Sequence, residues 1–284
     1  MPAFELAGDG LGPARPSISR VRVLSWNVWW RFGPWWSRQP GIARVIGDSG
    51  ADLIGLQEVW VEQDGANQAA VLAAKLGFHH ATGPLHFRDG LAFTNAILSR
   101  WPLADVVSTA LPDATGDDGH RRVLAATVRA PFGPVPFFTT HLDWQFDASA
   151  VRQAQVAALA RLVEARIGAE PPFPAVVTGD FNALPGADEI RSLTGEAPPP
   201  VAGLVFTDSW PAAGRSDPGW TFASSNAHLA NATWPNRRID YVFVSWPRPK
   251  PLGSVTGCEL VGTEATGGVF PSDHYGVLAD LCTS

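Results

Sequence analysis

The chain has 284 residues, of which 45% are hydrophobic and 17% are charged, so it contains enough apolar sequence for one large core. We expect a single domain over residues 21–284, preceded by a poorly ordered N-terminal extension over residues 1–20. The formal net charge of −6 argues against the broad basic surface of a tight non-specific nucleic-acid binder, which lowers the expectation of a nuclease without excluding one.

The chain opens with alternating strand and helix patterns. Short apolar runs at residues 21–26 and 53–56 predict two strands, of which the first ends at Asn27 and the second just before Glu58. Between them, a Pro-Gly pair followed by apolar residues at helical spacing predicts a short helix around residues 40–46.

A second helix is predicted at residues 66–76, where alanine and leucine recur and Gly77 provides a stop signal. After it, the pattern changes to consecutive β-like runs that are separated by Pro, Gly and Asp. These runs lie at residues 91–98, 123–129 and 135–140.

The second half of the chain begins with the longest helical pattern, at residues 148–167. A strand at residues 175–178 follows and leads into a Gly-Asp-Phe-Asn run. Residues 188–193 predict one or two helical turns, and the Pro-, Gly- and Ala-rich residues 195–219 predict a long irregular connection with a short strand at residues 204–206. Three more strands are predicted at residues 239–245, 255–261 and 276–281.

Strand patterns outnumber helix patterns, and strand-helix units are mixed with hairpin-like runs. This combination predicts an α/β fold in which two mixed β-sheets pack face to face with helices outside. In such a fold the strand ends at one rim collect the polar residues, so the residues that follow the predicted strands are the candidates for a functional site.

The cysteine content and the lengths of the apolar runs indicate the cellular compartment. Two cysteines can build neither a disulfide framework nor a cysteine-based zinc site. No run approaches the roughly 18 continuous apolar residues of a membrane span, and the first residues lack the apolar core of a secretory signal. We therefore expect a cytoplasmic protein without a transmembrane segment, and we expect it to be a monomer.

Acid, amide and imidazole side chains lie at the ends of several predicted strands. Oxygen donors, amides and imidazoles gathered at one rim would suit a hard divalent cation such as Mg²⁺ or Mn²⁺, which can bridge a phosphate group. Asn27 and Glu58 are then the expected metal-binding residues. The remaining members of the set are His141, Asp180, Asn182, Asp240 and His274.

The chemistry of phosphoryl transfer assigns the other roles. We expect Asp180 to orient and deprotonate an attacking water, while Asn182 fixes the water or the phosphate. His141 and His274 would hold phosphate oxygens and assist the charge change at the attacking or leaving oxygen. A catalytic imidazole needs a partner that fixes its tautomer, and Asp240 is the expected partner of His274.

With these residues in place, the chain resembles the endonuclease/exonuclease/phosphatase superfamily, a group of metal-dependent phosphoesterases. The runs that carry the resemblance occur in the order of the family and cover the chain from about residue 21 to its end. They are Leu-Ser-Trp-Asn at 24–27, Leu-Gln-Glu-Val at 56–59, Asn-Ala-Ile-Leu-Ser-Arg at 95–100, Thr-His-Leu at 140–142, Gly-Asp-Phe-Asn at 179–182, Arg-Ile-Asp-Tyr at 238–241 and Ser-Asp-His at 272–274.

The resemblance implies a four-layer α/β sandwich and hydrolysis of a phosphoester by in-line attack of water, with one or two Mg²⁺ or Mn²⁺ ions. It adds Asp273 to the metal site and makes Asn95 a substrate-binding candidate. The abasic-site endonucleases of the family carry an acid two positions after the residue that matches Asn27, whereas this chain has Trp29 there. That departure and the acidic net charge argue against a close relative of the repair nucleases.

Tryptophans next to the motif residues are candidates for substrate contacts. Several of the aromatic residues near the motifs would form an aromatic wall for the organic part of a substrate, and Trp29 and Trp144 are favoured among them. The other members of the set are Trp30, Trp35, Trp36, Phe146, Trp220, Phe222 and Trp234. Most of the twelve tryptophans are expected to pack in the core or in loops. Arg122, at the head of a predicted strand, could reach a phosphate or could be a solvated surface arginine. His86 and His120 are weak candidates for substrate contacts.

These observations predict a cation-dependent phosphodiesterase that acts on a small organic or lipid-like phosphoester. A DNA or RNA nuclease of the same superfamily is the main alternative, and a phosphatase remains open. A phospholipid hydrolase would need an apolar loop that meets a bilayer, for which residues 29–36 are the obvious segment. The alternative from another class is a non-catalytic binding module that retains the fold.

Overall fold

The structure is a computed structural model, and it describes residues 20–83, 90–113, 121–167, 173–246 and 248–284. Within these ranges the chain forms two six-stranded sheets and five helices, which confirms the α/β sandwich expected from the sequence. The N-terminal extension up to residue 19 lies outside the described residues, as do the histidine candidates at positions 86 and 120.

The first sheet has the strand order β11-β12-β1-β2-β4-β3. Within it, β1 and β2 run parallel, and all other neighbouring strands are antiparallel. The strands of this sheet are β1 (Arg20–Asn27), β2 (Leu53–Glu62), β3 (His79–Thr82), β4 (Leu91–Ser99), β11 (Val255–Val261) and β12 (Gly276–Cys282).

The second sheet has the order β5-β6-β7-β8-β10-β9 and repeats this arrangement. Its only parallel pair is β7 with β8, which lies at the centre of the sheet. The strands are β5 (Leu103–Ala110), β6 (Arg122–Ala130), β7 (Gly133–His141), β8 (Val176–Asp180), β9 (Val205–Asp208) and β10 (Asp240–Trp246).

Three buried hydrophobic clusters hold four layers together. One lies between the two sheets and includes Val23, Phe137 and Val242. A second packs helices on the outer face of the first sheet, and a third does so on the second sheet. The helices are α1 (Trp35–Ser49), α2 (Gln68–Leu76), α3 (Ser149–Ile167), α4 (Asp188–Thr194) and α5 (Ser209–Ala212). No helix in the described ranges is long and apolar enough to cross a bilayer.

Several element predictions were wrong, and most of the errors concern edge strands. Strands β3 and β5 were missed because they are short or largely exposed and therefore lack a continuous apolar run. In the connection at 195–219 the predicted short strand is present as β9, but the short helix α5 was not predicted. Helix α1 begins at Trp35, ahead of the predicted Pro-Gly start, and Pro40 lies inside it.

Glycines at two positions allow close packing beneath the rim where β1, β2, β7 and β8 end. A side-chain carbon at Gly55 would lie 1.9 Å from Oγ1 of Thr178, on the opposite sheet. At Gly179 the same carbon would lie 2.6 Å from the carbonyl oxygen of Thr140. Gly55 thus lets the two sheets approach each other closely, whereas Gly179 lets β8 lie close to β7 within the second sheet, and polar groups of both sheets can share one site.

Candidate active site

The strand registers bring the predicted residues to one rim. In the first sheet Asn27 pairs with Gln57, the residue before Glu58. In the second sheet both His141 and Asp240 lie opposite Asp180. Because the parallel strands of both sheets end at this rim, the side chains that follow them converge there.

A bulge in β2 presents Glu58 to the rim. The pairing of β2 with β4 shifts between Leu56 and Val59, and Glu58 has a φ of 57°, in the left-handed region. The carbonyl oxygen of Glu58 accepts a hydrogen bond from the backbone N–H of Trp30 at 3.0 Å. The bulge thus extends β2 beyond its predicted end and aims the carboxylate of Glu58 at the residues of the opposite sheet.

Asn27 links the two sheets through its amide group. Its Nδ2 donates to Oε1 of Glu58 at 3.2 Å and to Oδ2 of Asp180 at 3.0 Å. Its Oδ1 accepts a hydrogen bond from the backbone N–H of Trp29 at 2.9 Å. Asn27 therefore holds the carboxylates of Glu58 and Asp180 side by side, although they belong to different sheets.

The turn after β8 orients Asp180. Oδ1 of Asp180 accepts a hydrogen bond from the backbone N–H of Asn182 at 3.0 Å, and Asn182 adopts a φ of 51°. The amide of Asn182 donates to the carbonyl oxygen of Leu142 at 3.2 Å, which ties this turn to the segment after His141. Asn residues adopt left-handed conformations at low cost, which explains why the run carries Asn at this position.

Two buried imidazoles flank Asp180. Nε2 of His141 lies 3.5 Å from Oδ2 of Asp180, and Nε2 of His274 lies 3.9 Å from the same oxygen. Nδ1 of His274 lies 2.9 Å from Oδ2 of Asp240. The geometry thus brings Asp240 and His274 together as the sequence predicted, with Nε2 of His274 directed at the rim.

Burial and neighbouring charges separate the pKa values of these groups. Burial raises the pKa of Asp180 to about 7, and the charge of Asp240 adds to the effect. Burial also raises the pKa of Asp273 to about 7. Burial lowers the pKa of His274, but Asp240 and Asp273 outweigh it and raise the pKa well above its usual value. His141 has a pKa well below its usual range because of burial and the nearby Arg121. At neutral pH one imidazole is therefore charged and the other is neutral, which is a common arrangement in acid-base sites.

The donor set fits a hard divalent cation. Oε2 of Glu58 and Oδ1 of Asp240 are buried and have no hydrogen-bond partner among the described residues, and a buried carboxylate oxygen needs either a partner or a cation. Single ligand atoms of Asp180, Asp240 and His274 lie within 4.8 Å of one another. A second group of candidate ligands consists of Glu58 together with Asn27 and Asp273, whose carboxylate is electrostatically coupled to that of Glu58.

The residues at the rim form the floor of a cavity of about 460 Å³. We call Glu58, His141, Asp180, Asn182 and His274 the pocket floor. The pocket walls are mostly aromatic and also include two arginines; they are formed by Trp30, Phe32, Phe93, Arg121, Trp144, Phe222, Trp234, Arg237 and Ile239.

Three of the predicted substrate-binding residues lie outside the cavity lining. The ring of Trp29 packs against the guanidinium of Arg38, with 4.7 Å between Cζ and the ring centroid. Nε of Arg122 donates to Oγ of Ser108, so this side chain points towards β5. The amide of Asn95 donates to the carbonyl oxygen of Arg122 at 3.0 Å and supports the strand rather than the cavity. Trp144 does line the cavity, as predicted.

Two wall residues are neighbours of those that the sequence favoured, and Trp30, Phe222 and Trp234 belong to the aromatic residues that it left open as wall candidates. Arg121 lines the cavity in place of Arg122, and its Nη1 is buried without a hydrogen-bond partner. Trp30 likewise replaces Trp29. The choice within the arginine pair depended on a strand register, and the choice within the tryptophan pair depended on a left-handed turn. The sequence shows neither feature.

Arg237 belongs to a stack of side chains at the mouth of the cavity. Its guanidinium carbon lies 4.5 Å from the ring centroid of Phe146, and the rings of Phe146 and Trp234 are stacked at 5.0 Å with an interplanar angle of 17°. Nη2 of Arg237 donates to the carbonyl oxygen of Asn182 at 2.9 Å, which anchors the stack to the floor. Long sequence separation between Phe146 and Trp234 left no local signal for this pair.

Comparison with known proteins shows the same fold in several solved structures. Truncated TDP2 from Caenorhabditis elegans matches with a TM-score of 0.72 and 22% identity, over 93% of this chain and 98% of that one. D. rerio TDP2 complexed with single strand DNA product matches with a TM-score of 0.71 and 21% identity, over 92% and 98%. An endonuclease/exonuclease/phosphatase from Beutenbergia cavernae matches with a TM-score of 0.70 and 25% identity, over 93% and 72%.

No curated protein matches this chain. The model of the endonuclease/exonuclease/phosphatase family does match it, from residue 24 to residue 274, and this range includes every residue of the pocket floor. The chain therefore belongs to the endonuclease/exonuclease/phosphatase family.

Proposed function

We propose that the protein is a Mg²⁺- or Mn²⁺-dependent phosphodiesterase that hydrolyses a small organic phosphoester with an apolar, planar group. The family consists of metal-dependent phosphoesterases, which makes phosphoester hydrolysis the starting point. The observation that carries the finer proposal is the contrast within one cavity between a floor of carboxylates and imidazoles and walls of aromatic rings. Such walls bury the organic part of a ligand and leave its polar centre at the floor.

The cation would be held by Glu58, Asn27 and Asp273. Within the described residues Oε2 of Glu58 has no hydrogen-bond partner, which supports this assignment, and the buried carboxyl of Asp273 interacts electrostatically with that of Glu58. Bound there, the cation would neutralise charge on the phosphate oxygens.

Asp180 acts as the base in this proposal. It accepts a proton from the water whose oxygen attacks phosphorus, while the bond from phosphorus to the leaving oxygen breaks on the opposite side. Asn182, fixed by its left-handed turn, places the water or a phosphate oxygen next to Asp180. The residual negative charge then resides on the leaving oxygen and must be neutralised.

The two histidines divide that task. His274, held in its charged form by Asp240, offers an N–H from Nε2 to a phosphate oxygen or to the leaving oxygen. His141 is neutral and contributes a hydrogen bond without adding charge. Arg121, with its partnerless Nη1 at the cavity, takes the phosphate-contacting role that the sequence had given to Arg122.

The walls favour a diester over a monoester. A monoester has one organic group and a second negative charge, and that charge would face the carboxylates of Glu58 and Asp180 on the floor. A diester places organic groups on both sides of phosphorus, and aromatic residues line the cavity from both sheets. Apolar walls would also accept a lipid-like group, so lipid phosphodiesters belong in the test.

A nuclease that acts on single-stranded ends is the second candidate. The stack of Arg237, Phe146 and Trp234 at the mouth supports it, because aromatic rings next to an arginine bind unpaired bases. The fold shared with D. rerio TDP2, a protein solved with single strand DNA product, is consistent with this candidate. The net charge of −6 weighs against a long nucleic-acid track.

A substrate panel with one floor variant tests the proposal. Bis-aryl and mono-aryl phosphates, lipid phosphodiesters and single-stranded DNA are offered with Mg²⁺ or Mn²⁺, and again with a chelator. We expect bis-aryl phosphate to be cleaved fastest, chelation to abolish cleavage, and Asp180→Asn to lower kcat by about 10²- to 10⁴-fold. Asp48→Asn, at a carboxylate on α1 that is 74% exposed, is the control and should match the wild type.

Each departure from this pattern has a definite meaning. Cleavage that survives the chelator, or an Asp180→Asn variant as active as the control, would contradict the mechanism. A profile restricted to mono-aryl phosphate would make the protein a phosphatase, and efficient DNA cleavage at physiological salt would favour the nuclease.

A further inference from the structure

A buried arginine beneath the pocket has no role in the chemistry described above. Arg38 lies in the first turns of α1 and is 0% exposed. Its guanidinium donates only to backbone carbonyl oxygens, from two segments of the chain that are distant in sequence. Nη1 donates to Val28 and Pro271, both at 2.9 Å, and Nη2 donates to Trp29, Trp30 and Phe32 at 2.7, 2.8 and 3.2 Å.

Burying a guanidinium is costly, and these five hydrogen bonds offset much of the cost, although Nε of Arg38 has no hydrogen-bond partner within the described residues. Within the described residues no carboxylate lies at ion-pair distance from Arg38, so backbone dipoles provide most of the compensation for burying its charge. Burial lowers the pKa of Arg38 to about 10, while Asp273 and Glu58 oppose the effect. The group therefore stays charged at neutral pH, next to the carboxylates that would hold the cation.

The first segment that Arg38 holds carries part of the pocket walls. Trp30 and Phe32 line the cavity, and the backbone carbonyl oxygens of both accept hydrogen bonds from Nη2 of Arg38. Trp29 and Trp30 have φ values of 57° and 31°, in the region that bulky residues rarely adopt. Backbone strain of this kind persists only where the surroundings determine the conformation, and here consecutive carbonyls converge on a single guanidinium.

The second segment carries residues of the floor and of the candidate metal site. Pro271 directly precedes Ser272, whose Oγ donates to the carbonyl oxygen of Asn27 at 2.7 Å. The same Oγ accepts a hydrogen bond from the backbone N–H of His274 at 3.2 Å. Through Pro271 and Ser272, the contact made by Arg38 thus reaches the chain on both sides of the proposed cation ligand Asp273.

We propose that Arg38 is a positioning residue that couples the pocket walls to the metal site. Its planar fork holds residues 28–32 against residues 271–274. This contact fixes the positions of the wall residues relative to the floor and the distances between the proposed cation ligands. Lysine cannot replace it, because an ammonium group has the charge but lacks the five donors of the fork. The catalytic part of this inference rests on the proposed phosphoester hydrolysis, and the positioning part does not.

Arg38→Lys is the variant that tests the geometry, because it keeps the positive charge beside Glu58 and Asp273. Arg44→Lys is the matched control: Arg44 lies on the same helix, is 67% exposed in its side chain and pairs only with Asp48. Hydrogen exchange gives a readout that does not depend on activity. We expect faster amide exchange at residues 28–33 and 271–275 in Arg38→Lys, with the remaining amides and the control unchanged.

Cation affinity and substrate preference give two further readouts. Mn²⁺ binding, followed by calorimetry on the protein without substrate, should weaken about tenfold or more in Arg38→Lys, as for other residues that orient metal ligands. The preference in KM for bis-aryl over methyl aryl phosphate should fall about three- to tenfold, because the wall contacts are loosened. A loss of global stability alone would change neither the Mn²⁺ affinity nor the KM preference as long as the protein stays folded.

Ser272→Ala supplies an independent test should Arg38→Lys fail to fold. The variant removes the hydroxyl that connects residue 272 to Asn27 and His274, and it changes no wall residue. If the walls and the metal site are coupled, Ser272→Ala should weaken Mn²⁺ binding and also lower the preference for bis-aryl phosphate. A loss of Mn²⁺ affinity with an unchanged preference would overturn the coupling. Exchange at 28–33 and 271–275 that is the same in Arg38→Lys and Arg44→Lys would overturn the role of Arg38. Failure of the wild type to cleave any phosphoester would instead contradict the proposed function and leave the exchange and Mn²⁺ tests intact.

Discussion

The floor and the walls of the pocket differ in how their residues are held. Floor residues lie at or near the ends of central strands and are almost completely buried, except for Glu58, whose side chain is 16% exposed. Hydrogen bonds from Asn27 to Glu58 and Asp180 tie the floor together across the two sheets. Wall residues lie largely on loops, and Phe32, Phe93, Trp144 and Trp234 are exposed. The floor is rigid because the fold fixes it, whereas the walls depend on a few local contacts.

This difference separates the reaction from the choice of substrate. Rigid, buried groups with shifted pKa values suit a chemistry that needs charges at fixed positions. Exposed aromatic rings on loops can change without disturbing the sheets, so they can adapt the same chemistry to different organic groups. Arg38 is the proposed exception, because it is buried in the fold and yet supports the walls.

The largest expected effect is the loss of kcat in variants of the floor. His274→Asn should lower kcat by about 10²- to 10⁴-fold, because the variant loses the charged imidazole that neutralises an oxygen of the reacting phosphate. Asp240→Asn should cost less, about 10- to 100-fold, because Asp240 acts only by orienting and charging His274. Steady-state rates with a bis-aryl phosphate measure both variants.

The ranking of the two variants is the informative result. An Asp240→Asn variant that is worse than His274→Asn would mean that Asp240 holds the cation itself, as its place among the clustered ligand atoms allows. Mn²⁺ affinity distinguishes the cases, since only a ligand role for Asp240 predicts that it falls in Asp240→Asn.

The next largest effect is on the pH dependence of the stability of the cation-free protein, and it arises from the buried carboxyl and imidazole groups of the site. Asp180 and Asp273 have pKa values raised to about 7, so the folded protein binds more protons than the unfolded chain between pH 3.8 and pH 7. Their contribution to the free energy of unfolding is therefore fully present below their unfolded pKa of 3.8 and is lost as the pH rises to about 7. The raised pKa of His274 extends the loss to higher pH, while His141, whose pKa is lowered, destabilises the fold only as the pH falls below its usual value of 6.5. The melting temperature without cation should therefore fall between pH 6.5 and pH 8.

Mn²⁺ should reverse this trend, because a cation at the floor favours the deprotonated carboxylates. The gain in melting temperature on adding Mn²⁺ should be larger at pH 8 than at pH 6. Thermal melts at both pH values measure it, and an Asp180→Asn, Asp273→Asn double variant should show a flatter profile. An equal Mn²⁺ gain at both pH values in the wild type would contradict cation binding by these carboxyl groups.

The sequence predicted the floor far better than the walls, for a physical reason. Asp180 and His141 each follow an apolar run, and parallel strands must end at one rim, so convergence could be inferred without coordinates. The two-sheet architecture followed from the same runs. Edge strands such as β5 have a half-exposed composition and give no such signal.

The walls required information that is absent from local sequence. Arg121 rather than Arg122 lines the cavity because of the strand register, and Trp30 rather than Trp29 lines it because of a left-handed turn. Arg38 lies just before the helix predicted around residues 40–46, and only the three-dimensional convergence of carbonyl groups reveals its role.

The smallest expected effect is on the walls, and two matched tryptophans sharpen it. Trp234 is 43% exposed and lines the cavity, whereas Trp220 is 44% exposed and lies outside it. Trp234→Ala should raise KM for a bis-aryl phosphate about three- to tenfold with little change in kcat, because the ring contributes to binding and not to the reaction. Trp220→Ala should leave both constants unchanged. A Trp234→Ala variant that loses kcat but keeps KM would show that the walls take part in the chemistry, and the division between floor and walls would then be wrong.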